Sequence, residues 1–166
     1  FSLKFKSRWG KVVKCGGKCK GEFMRLIGDY LHTIDAKGRV IVPSKFREQL
    51  GNIFIITKGF DNSLTIYSEN AWNELEDKLS QMSMISTDSR IIRRMIVGSA
   101  TEVVPDKQGR IIITPSQKEY AKIDKEVVFS GNLDHVEIWS KEEWDSIQNM
   151  DTAKAAEKLY QSGIKL

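Results

Sequence analysis

The sequence predicts an α+β protein made of two copies of one structural unit, related by a pseudo-twofold axis. The segment 35–42 (DAKGRVIV) returns as 106–113 (DKQGRIII), 71 residues further on, and residues 58–72 match residues 130–144 at a spacing of 72. Such self-similarity indicates a duplicated supersecondary unit. A lone copy of about 70 residues is only marginally able to bury a core, so the copies are expected to interleave their hairpins around one core. The expected core includes the apolar residues that follow both turns: Ile41, Val42, Ile112 and Ile113.

Strands around a tight turn open each copy. In the first copy the residues on both sides of the turn are rich in β-branched side chains, and Gly38 suits a turn position with a positive φ angle. Pro43 ends the second strand because it lacks a backbone donor, and Ser44 is expected to cap the short helix that follows. The predicted elements are strands over 30–34 and 40–42, a helix over 45–50, a hairpin over 54–57 and 64–67, and a helix after Ser68.

A helix rich in arginine joins the two copies and has no clear counterpart in the second one. Thr87 or Asp88 is expected to cap it, and its Ile and Met side chains are expected to face the core. Its arginines are interpreted either as a solvated face or as contacts to another subunit or to a phosphate. These arginines are Arg90, Arg93 and Arg94.

Charge and composition set the N-terminal segment apart from the rest. Residues 1–22 hold seven of the 26 Lys and Arg residues and one of the 22 acidic residues, so the net charge of +4 becomes −2 for the remainder. This basic tail is interpreted as disordered, or as translated from upstream of a native start at Met24, and Cys15 and Cys19 are interpreted as free thiols. The predicted segments are the tail (1–23), a first repeat (24–82), the arginine-rich helix (83–98), a second repeat (99–150) and a C-terminal helix or tail (151–166).

The repeated Asp-x-x-Gly-Arg turn allows two interpretations. Asp35 and Arg39 can form an ion pair across the turn, as can Asp106 and Arg110, and such a pair explains the spacing without any ligand. An exposed ion pair contributes only about 0–1 kcal/mol, however, which is a weak reason to carry it twice. A two-stranded ribbon also fits the major groove of DNA, where an arginine can donate two hydrogen bonds to guanine. On these residues alone, a DNA-reading loop and a purely structural turn remain equally open.

Several motifs together resemble the MraZ family, which belongs to the AbrB-like proteins with swapped hairpins. The resemblance rests on the two Asp-x-x-x-Arg motifs at 35–39 and 106–110, on the Pro-x-Lys-Phe-Arg segment at 43–47 and on the Glu-x-Trp-Ser segment at 137–140. It covers residues 24–150 and excludes the basic tail. It implies a swapped-hairpin β-barrel with flanking helices, in which each copy is a SpoVT/AbrB-like repeat.

The resemblance also implies a function. Members of this family are transcriptional regulators of the division and cell-wall gene cluster, and as ring-like homo-oligomers they bind short guanine-rich direct repeats in the double-stranded DNA of their own promoter. Carried over to this sequence, the family pattern gives DNA-reading residues in both turns and one bracing aspartate in each. The DNA-reading residues are Lys37, Gly38, Arg39, Lys107, Gly109 and Arg110, and the bracing residues are Asp35 and Asp106. Gln108 takes the place of Lys37 in the second turn, where the lysine lies one position earlier.

Enzymatic interpretations find little support in the sequence. His32 lies in a predicted strand and His135 in a hairpin turn, and neither has a nucleophile motif beside it. We therefore expect no enzyme activity, no cofactor and no metal. No apolar segment reaches the roughly 20 residues of a membrane span, and the predicted location is the cytoplasm, in association with the nucleoid. The alternative to a DNA-binding regulator is a ring-forming assembly module without sequence-specific DNA binding, whose turns are only structural.

Overall fold

The same order of strands and helices occurs twice along the chain. The computed structural model describes residues 25–162, and the predictions for the basic tail lie outside that range. The elements are β1 (Leu26–Thr33), β2 (Arg39–Ile41), α1 (Ser44–Leu50), β3 (Phe54–Lys58), β4 (Leu64–Ser68), α2 (Glu69–Ser80), α3 (Thr87–Gly98), β5 (Thr101–Val103), β6 (Arg110–Ile112), α4 (Pro115–Tyr120), β7 (Glu126–Leu133), β8 (His135–Ser140), α5 (Lys141–Gln148) and α6 (Thr152–Gln161). The fold class is α+β, as predicted.

The two copies exchange strands. Six strands form an antiparallel sheet in the order β1-β7-β8-β4-β3-β5, and β2 and β6 form a separate two-stranded ribbon. The first strand of each copy pairs with the third strand of the other, since β1 pairs with β7 and β5 pairs with β3. The pairs β4–β8 and β2–β6 also join one strand from each copy. The two copies therefore form one unit around a shared core, as expected from their size.

The closed barrel implied by the family resemblance is not found. The strands within the described residues do not close into a barrel, since β1 and β5 are the edges of an open sheet. The strands on either side of each Asp-x-x-Gly-Arg turn pair with strands of the opposite copy and not with each other. The ribbon strands have only three residues each, and Pro43 follows β2 closely, so they are too short to bridge the edges of the sheet.

The main core lies between the sheet and a layer formed by the ribbon, α1 and α4. Phe46 of α1 packs there with Phe54 and Phe129 of the sheet, and all three are almost completely buried. This core also contains Val42 and Ile113, as expected.

The expected core positions of Ile41 and Ile112 are wrong. Their side chains are 45% and 58% exposed, respectively. Side chains alternate between the two faces of a strand, and the inward positions of the ribbon belong to Val40 and Ile111, which are almost fully buried.

The other face of the sheet carries a second apolar cluster beneath α2 and α3. Its buried members are Ile55, Trp72, Leu79 and Ile96. The Arg-rich helix α3 does have a counterpart in chain order, because α6 follows α5 as α3 follows α2. The sequence conceals this equivalence because α3 buries Ile96 against the sheet, whereas α6 buries none of its residues. No helix within residues 25–162 has the length and apolar character needed to cross a bilayer.

Helix starts agree with prediction for α2 and differ for α1 and α3. Ser68 caps α2 by accepting a hydrogen bond from the N–H of Ala71, as predicted. Ser44 does not cap α1, because it is already the first helical residue, and Pro43 in the N-cap position has no side-chain acceptor. Helix α3 is capped by Ser86, one residue before the predicted candidates.

Candidate nucleic-acid interface

Asp35 organises the first turn through both of its carboxylate oxygens. Oδ1 accepts hydrogen bonds from the backbone N–H groups of Lys37 and Arg39, each at 2.9 Å. Oδ2 accepts from Nε and Nη2 of Arg39, each at 2.7 Å. Backbone bonds from Asp35 N to Arg39 O and from Gly38 N to Asp35 O, both 2.9 Å, complete the turn. One carboxylate therefore fixes both the backbone of the turn and the orientation of the arginine.

The second turn repeats this geometry. Oδ1 of Asp106 accepts from the N–H groups of Gln108 and Arg110 at 2.9 Å, and Oδ2 accepts from Nε and Nη2 of Arg110 at 2.7 Å. Lys107 is exposed at the tip of this turn, as Lys37 is in the first. The ion pair expected across each turn is thus present in both copies.

Each turn contains one glycine, Gly38 or Gly109, that packs closely against the opposite copy. Gly38 and Gly109 have φ angles of 76° and 75°, which favour glycine. A Cβ atom on Gly38 would lie 2.8 Å from the carbonyl oxygen of Ile113, and one on Gly109 would lie 2.5 Å from Cζ of Arg47. Gly38 O accepts a hydrogen bond from Ile113 N at 2.8 Å, and Gly109 O accepts one from Val42 N at 3.0 Å. These contacts give the glycines a role in positioning the turns.

The ribbon places both arginines on one outward surface. Arg39 lies opposite Ile112, and Ile41 lies opposite Arg110. Because strand neighbours alternate between faces, these four side chains share the side directed away from the core, and we call them the ribbon face. Arg39 and Arg110 occupy diagonal positions on it, which typically lie about 7–8 Å apart.

The charges around the ribbon face favour an anionic partner. Hydrogen bonding from the backbone N–H of Arg39 is the largest influence on the pKa of Asp35 and lowers it, and Arg110 does the same for the pKa of Asp106. Both aspartates are therefore ionised at neutral pH. Each turn carries one aspartate, one arginine and one lysine, which leaves each with one net positive charge in a region, residues 23–166, whose net charge is −2. The arginine side chains are 32% and 28% exposed, so a ligand can reach them.

A comparison with protein families matches both repeats. The model of the family described as "MraZ protein, putative antitoxin-like" covers residues 26–95 and again residues 96–161. The chain belongs to the MraZ family. The first matched span ends inside α3 and the second ends at the last residue of α6. The family match therefore also treats α3 and α6 as equivalent helices.

Relatives of this MraZ-family protein carry the name "Transcriptional regulator MraZ". The relative from Thermoanaerobacter sp. (strain X514) is 50% identical over 124 residues, which are 75% of this chain and 87% of the relative. The relative from Desulforamulus reducens is 46% identical over 140 residues, 84% of this chain and 98% of the relative. The relative from Clostridium tetani is 44% identical over 140 residues, 83% of this chain and 99% of the relative.

The arginine-rich helix of the MraZ-family chain lies apart from the ribbon. Nη1 of Arg90 donates to the carbonyl oxygens of Met84 and Ile85 at 2.9 and 2.7 Å, so this arginine holds the connector between α2 and α3. Arg93 and Arg94 line a shallow depression with Arg90 and Met84. The structure thus brings the three arginines together and gives Arg90 a local structural contact.

Neither histidine belongs to the ribbon face. His32 is partly buried and contacts the ring of Phe129 edge-on at 5.7 Å. Burial lowers the pKa of His135, but contacts with Glu137 and Asp134 outweigh burial and raise that pKa above its usual value. Within residues 25–162, no three His, Cys, Asp or Glu side chains are grouped to hold a metal ion.

Sequence reasoning missed two features of this surface. The first is the exposure of Ile41 and Ile112 beside the arginines. The second is Arg47 of α1, whose Nε donates to Val42 O at 3.0 Å and whose guanidinium lies next to Gly109. The alternation of Arg39, Val40 and Ile41 was a signal for the first. No local pattern reveals the second, because Arg47 meets a turn that lies 62 positions away in the sequence.

Substitutions of Asp35 separate its two contacts. Asp35→Asn keeps an oxygen that can accept from the backbone N–H groups, but its amide cannot accept from the guanidinium, and Asp35→Ala removes both acceptors. A lowered carboxylate pKa stabilises the fold above the pKa of the unfolded chain, and this contribution is lost as the pH falls through the folded-state pKa. We expect the Tm difference between wild type and Asp35→Asn to be constant from about pH 6 to 8 and to shrink as the pH falls below about 4 through the lowered pKa of Asp35, with Asp35→Ala less stable than Asp35→Asn throughout. Circular dichroism melting tests this, and a difference that grows in acid would contradict it.

Proposed function

We propose that this MraZ-family protein is a sequence-specific, DNA-binding transcriptional regulator of the division and cell-wall gene cluster. It acts at the nucleoid by binding short guanine-rich direct repeats in the double-stranded DNA of its own promoter. The observation that carries the proposal is the pair of aspartate-held arginines, Arg39 and Arg110, on one exposed two-stranded ribbon.

The ion pairs prepare the arginines for guanine. A guanidinium group has five N–H donors, and Asp35 takes two of them, on Nε and Nη2 of Arg39. The Nη1 group and the second N–H of Nη2 remain on the far edge, where they can donate together to O6 and N7 of one guanine. Because the side chain is already held in one orientation, binding costs less conformational entropy. The same argument applies to Arg110, which Asp106 holds in the same way.

The lysines at the tips of the turns are suited to phosphates. Lys37 and Lys107 are exposed and flank the ribbon face, where a flexible ammonium group can neutralise the DNA backbone without reading a base. Gly38 and Gly109 shape the loops between these cations and the arginines. The roles proposed for the two motifs are therefore phosphate contact at the tip and base contact on the ribbon.

Fluorescence anisotropy with duplex DNA tests the proposal. The DNA is the promoter segment upstream of the protein's own gene, compared with a duplex of the same composition in which the guanine-rich repeats are shuffled. The proposal requires tight binding to the first and much weaker binding to the second at the same salt concentration. Equal affinity for the two, or binding to neither, would reject sequence-specific regulation.

Lys37→Ala should weaken DNA binding about equally for all sequences. Removing one phosphate contact from double-stranded DNA should make the slope of log K against log salt shallower by about 0.9. The matched control is Lys78→Ala, because Lys78 is exposed on α2, on the far side of the sheet. A variant that loses discrimination between repeat and shuffled DNA but keeps its salt slope would show that Lys37 contacts bases.

We also propose that several subunits assemble into a ring, because two short base contacts per subunit give weak specificity unless repeated sites are bound together. The contact surface we assign is α3 with its preceding connector, where the arginines lie beside exposed apolar side chains. These are Met84, Ile85, Ile91 and Val97, exposed by 56%, 91%, 55% and 43%.

Ile91→Glu should reduce the molar mass in solution without lowering Tm. A charge at a subunit interface opposes association, whereas the same change on an exposed position of a folded monomer has little effect on stability. Multi-angle light scattering at micromolar concentration measures the mass, and Phe60→Glu, at a comparably exposed position on the β3–β4 turn, is the control. A wild-type monomer under these conditions would contradict the proposed assembly.

The alternative function is a ring-forming assembly module that does not bind DNA specifically. The net charge of −2 outside residues 1–22 favours this alternative, because a general DNA-binding surface is usually basic. The anisotropy experiment separates the two functions, since an assembly module would form the ring and yet not distinguish repeat from shuffled DNA.

A further inference from the structure

Half of the ribbon face is apolar. Ile41 and Ile112 are 45% and 58% exposed, while the cores beneath them are filled by Val40 and Ile111. Each exposed isoleucine lies directly opposite an arginine, in the pairs Arg39–Ile112 and Ile41–Arg110. Neither isoleucine belongs to the core cluster of the monomer, and both lie beside cations that we propose to enter a DNA groove.

We infer that Ile41 and Ile112 contact bases and select a thymine next to each guanine that the arginines read. This inference rests on the proposed function. In the major groove the only apolar group on a base edge is the 5-methyl group of thymine. An isoleucine pressed against the amino group of adenine or cytosine would leave that donor without a partner, which is unfavourable. Ile41 and Ile112 therefore favour thymine both by contacting its methyl group and by rejecting the other bases.

The spacing of the pairs fits neighbouring base pairs. Side chains directly opposite each other on an antiparallel ribbon have Cβ atoms about 4.5–5.5 Å apart, and successive base pairs are about 3.4 Å apart along the DNA axis. An arginine and the isoleucine opposite it can therefore reach adjacent base steps. Each Arg–Ile pair takes one residue from each copy of the repeat, so a complete reading unit exists only because the copies exchange strands.

Replacing thymine by deoxyuridine tests this inference, because it removes the methyl group and leaves every hydrogen-bonding atom unchanged. Each thymine of the promoter repeats is replaced singly, and affinity is measured by anisotropy. At the selected thymines the wild type should bind about three- to fivefold more weakly, the effect of one buried methyl-sized group. Ile41→Ala and Ile112→Ala should bind the thymine duplex more weakly and no longer distinguish it from the deoxyuridine duplex. Ile27→Ala, at an exposed position on the edge strand β1, should behave as wild type.

Two results would overturn the inference and leave the proposed function intact. One is guanine-dependent binding by the wild type with unchanged affinity at every deoxyuridine position. The other is a change of molar mass in Ile41→Ala and Ile112→Ala, measured by light scattering, while thymine discrimination persists, which would assign these side chains to a subunit contact. If the wild type binds no guanine-rich duplex at all, the proposed function fails and the inference fails with it.

Discussion

The variant Arg39→Ala/Arg110→Ala is expected to lose its preference for guanine-rich repeats and to keep the native fold. A bidentate arginine–guanine contact contributes about 1–3 kcal/mol of discrimination, so each single variant should lose discrimination by roughly five- to 150-fold. The double variant should lose more, because the loss recurs at every bound repeat. The fold should persist because both ion pairs are partly exposed, and such pairs contribute about 0–1 kcal/mol each.

Arg39→Lys provides the matched control for charge. Lysine keeps the positive charge but not the planar fork of donors, so this variant should retain non-specific affinity and lose guanine discrimination. Affinity is measured by anisotropy on repeat and shuffled duplexes, and stability by thermal melting. If Arg39→Ala bound the repeats normally but melted at a lower temperature, the turn would be a structural ion pair and the DNA assignment would be wrong.

Gly131→Ala is expected to be strongly destabilising. A Cβ atom at this position would lie 2.5 Å from the backbone carbon of Leu26 and 2.6 Å from the nitrogen of Ile27. Those atoms belong to β1, which pairs with β7 across the two copies, so the strands can accommodate the methyl group only by separating. We expect a loss of about 3 kcal/mol in the free energy of unfolding, at the upper end for overpacking.

Gly98→Ala is the control for this prediction. Gly98 ends α3 and has open space where a Cβ atom would be, so alanine there should leave stability unchanged or raise it by up to about 1 kcal/mol. Urea denaturation measures both variants. Wild-type stability in Gly131→Ala would contradict the close approach of β1 and β7, which is one of the four strand pairings that join the copies.

Local signals in the sequence predicted local structure well. The hydroxyl of Ser68 begins α2 as expected, because a serine before an amphipathic segment can satisfy an unpaired helix N–H group without help from the rest of the fold. The contacts between Asp35 and Arg39 were also expected, since they span only four residues. The prediction of the turn geometry therefore needed no knowledge of tertiary structure.

Long-range pairing was not predictable in the same way. β-branched residues around Gly38 predicted two strands and a turn, but not their partners. Leu31 pairs with Val128, almost a hundred residues away, and nothing in either strand encodes that partner. The inward side of the ribbon was also difficult to predict, because Val40, Ile41 and Val42 are all β-branched and the charge of Arg39 is the one local sign that Ile41 lies on the outward side.

In the third strand, the residues matched by sequence spacing differ by one position from those that are equivalent in the structure. Extending the spacing of 72 into the third strand aligns Ile56 with Val128, but Ile56 faces the main core as Phe129 does, one residue further on. The difference arises between the third and fourth strands, because Ile56 pairs with Ile66, ten residues later, whereas Phe129 pairs with Ile138, nine residues later. Side-chain alternation in the paired strands, rather than residue identity, reveals the correct equivalence.

A double-mutant cycle between protein and DNA tests whether Arg39 and Arg110 read guanine from one ribbon. Each guanine of the promoter repeats is replaced by 7-deazaguanine, which lacks the N7 acceptor, and the affinity of wild type and Arg39→Ala is measured for both duplexes. We expect wild type to lose affinity at particular guanines and Arg39→Ala to show no further loss at those positions, with Arg110→Ala doing the same at others. Equal losses for wild type and both variants at every guanine would contradict this expectation.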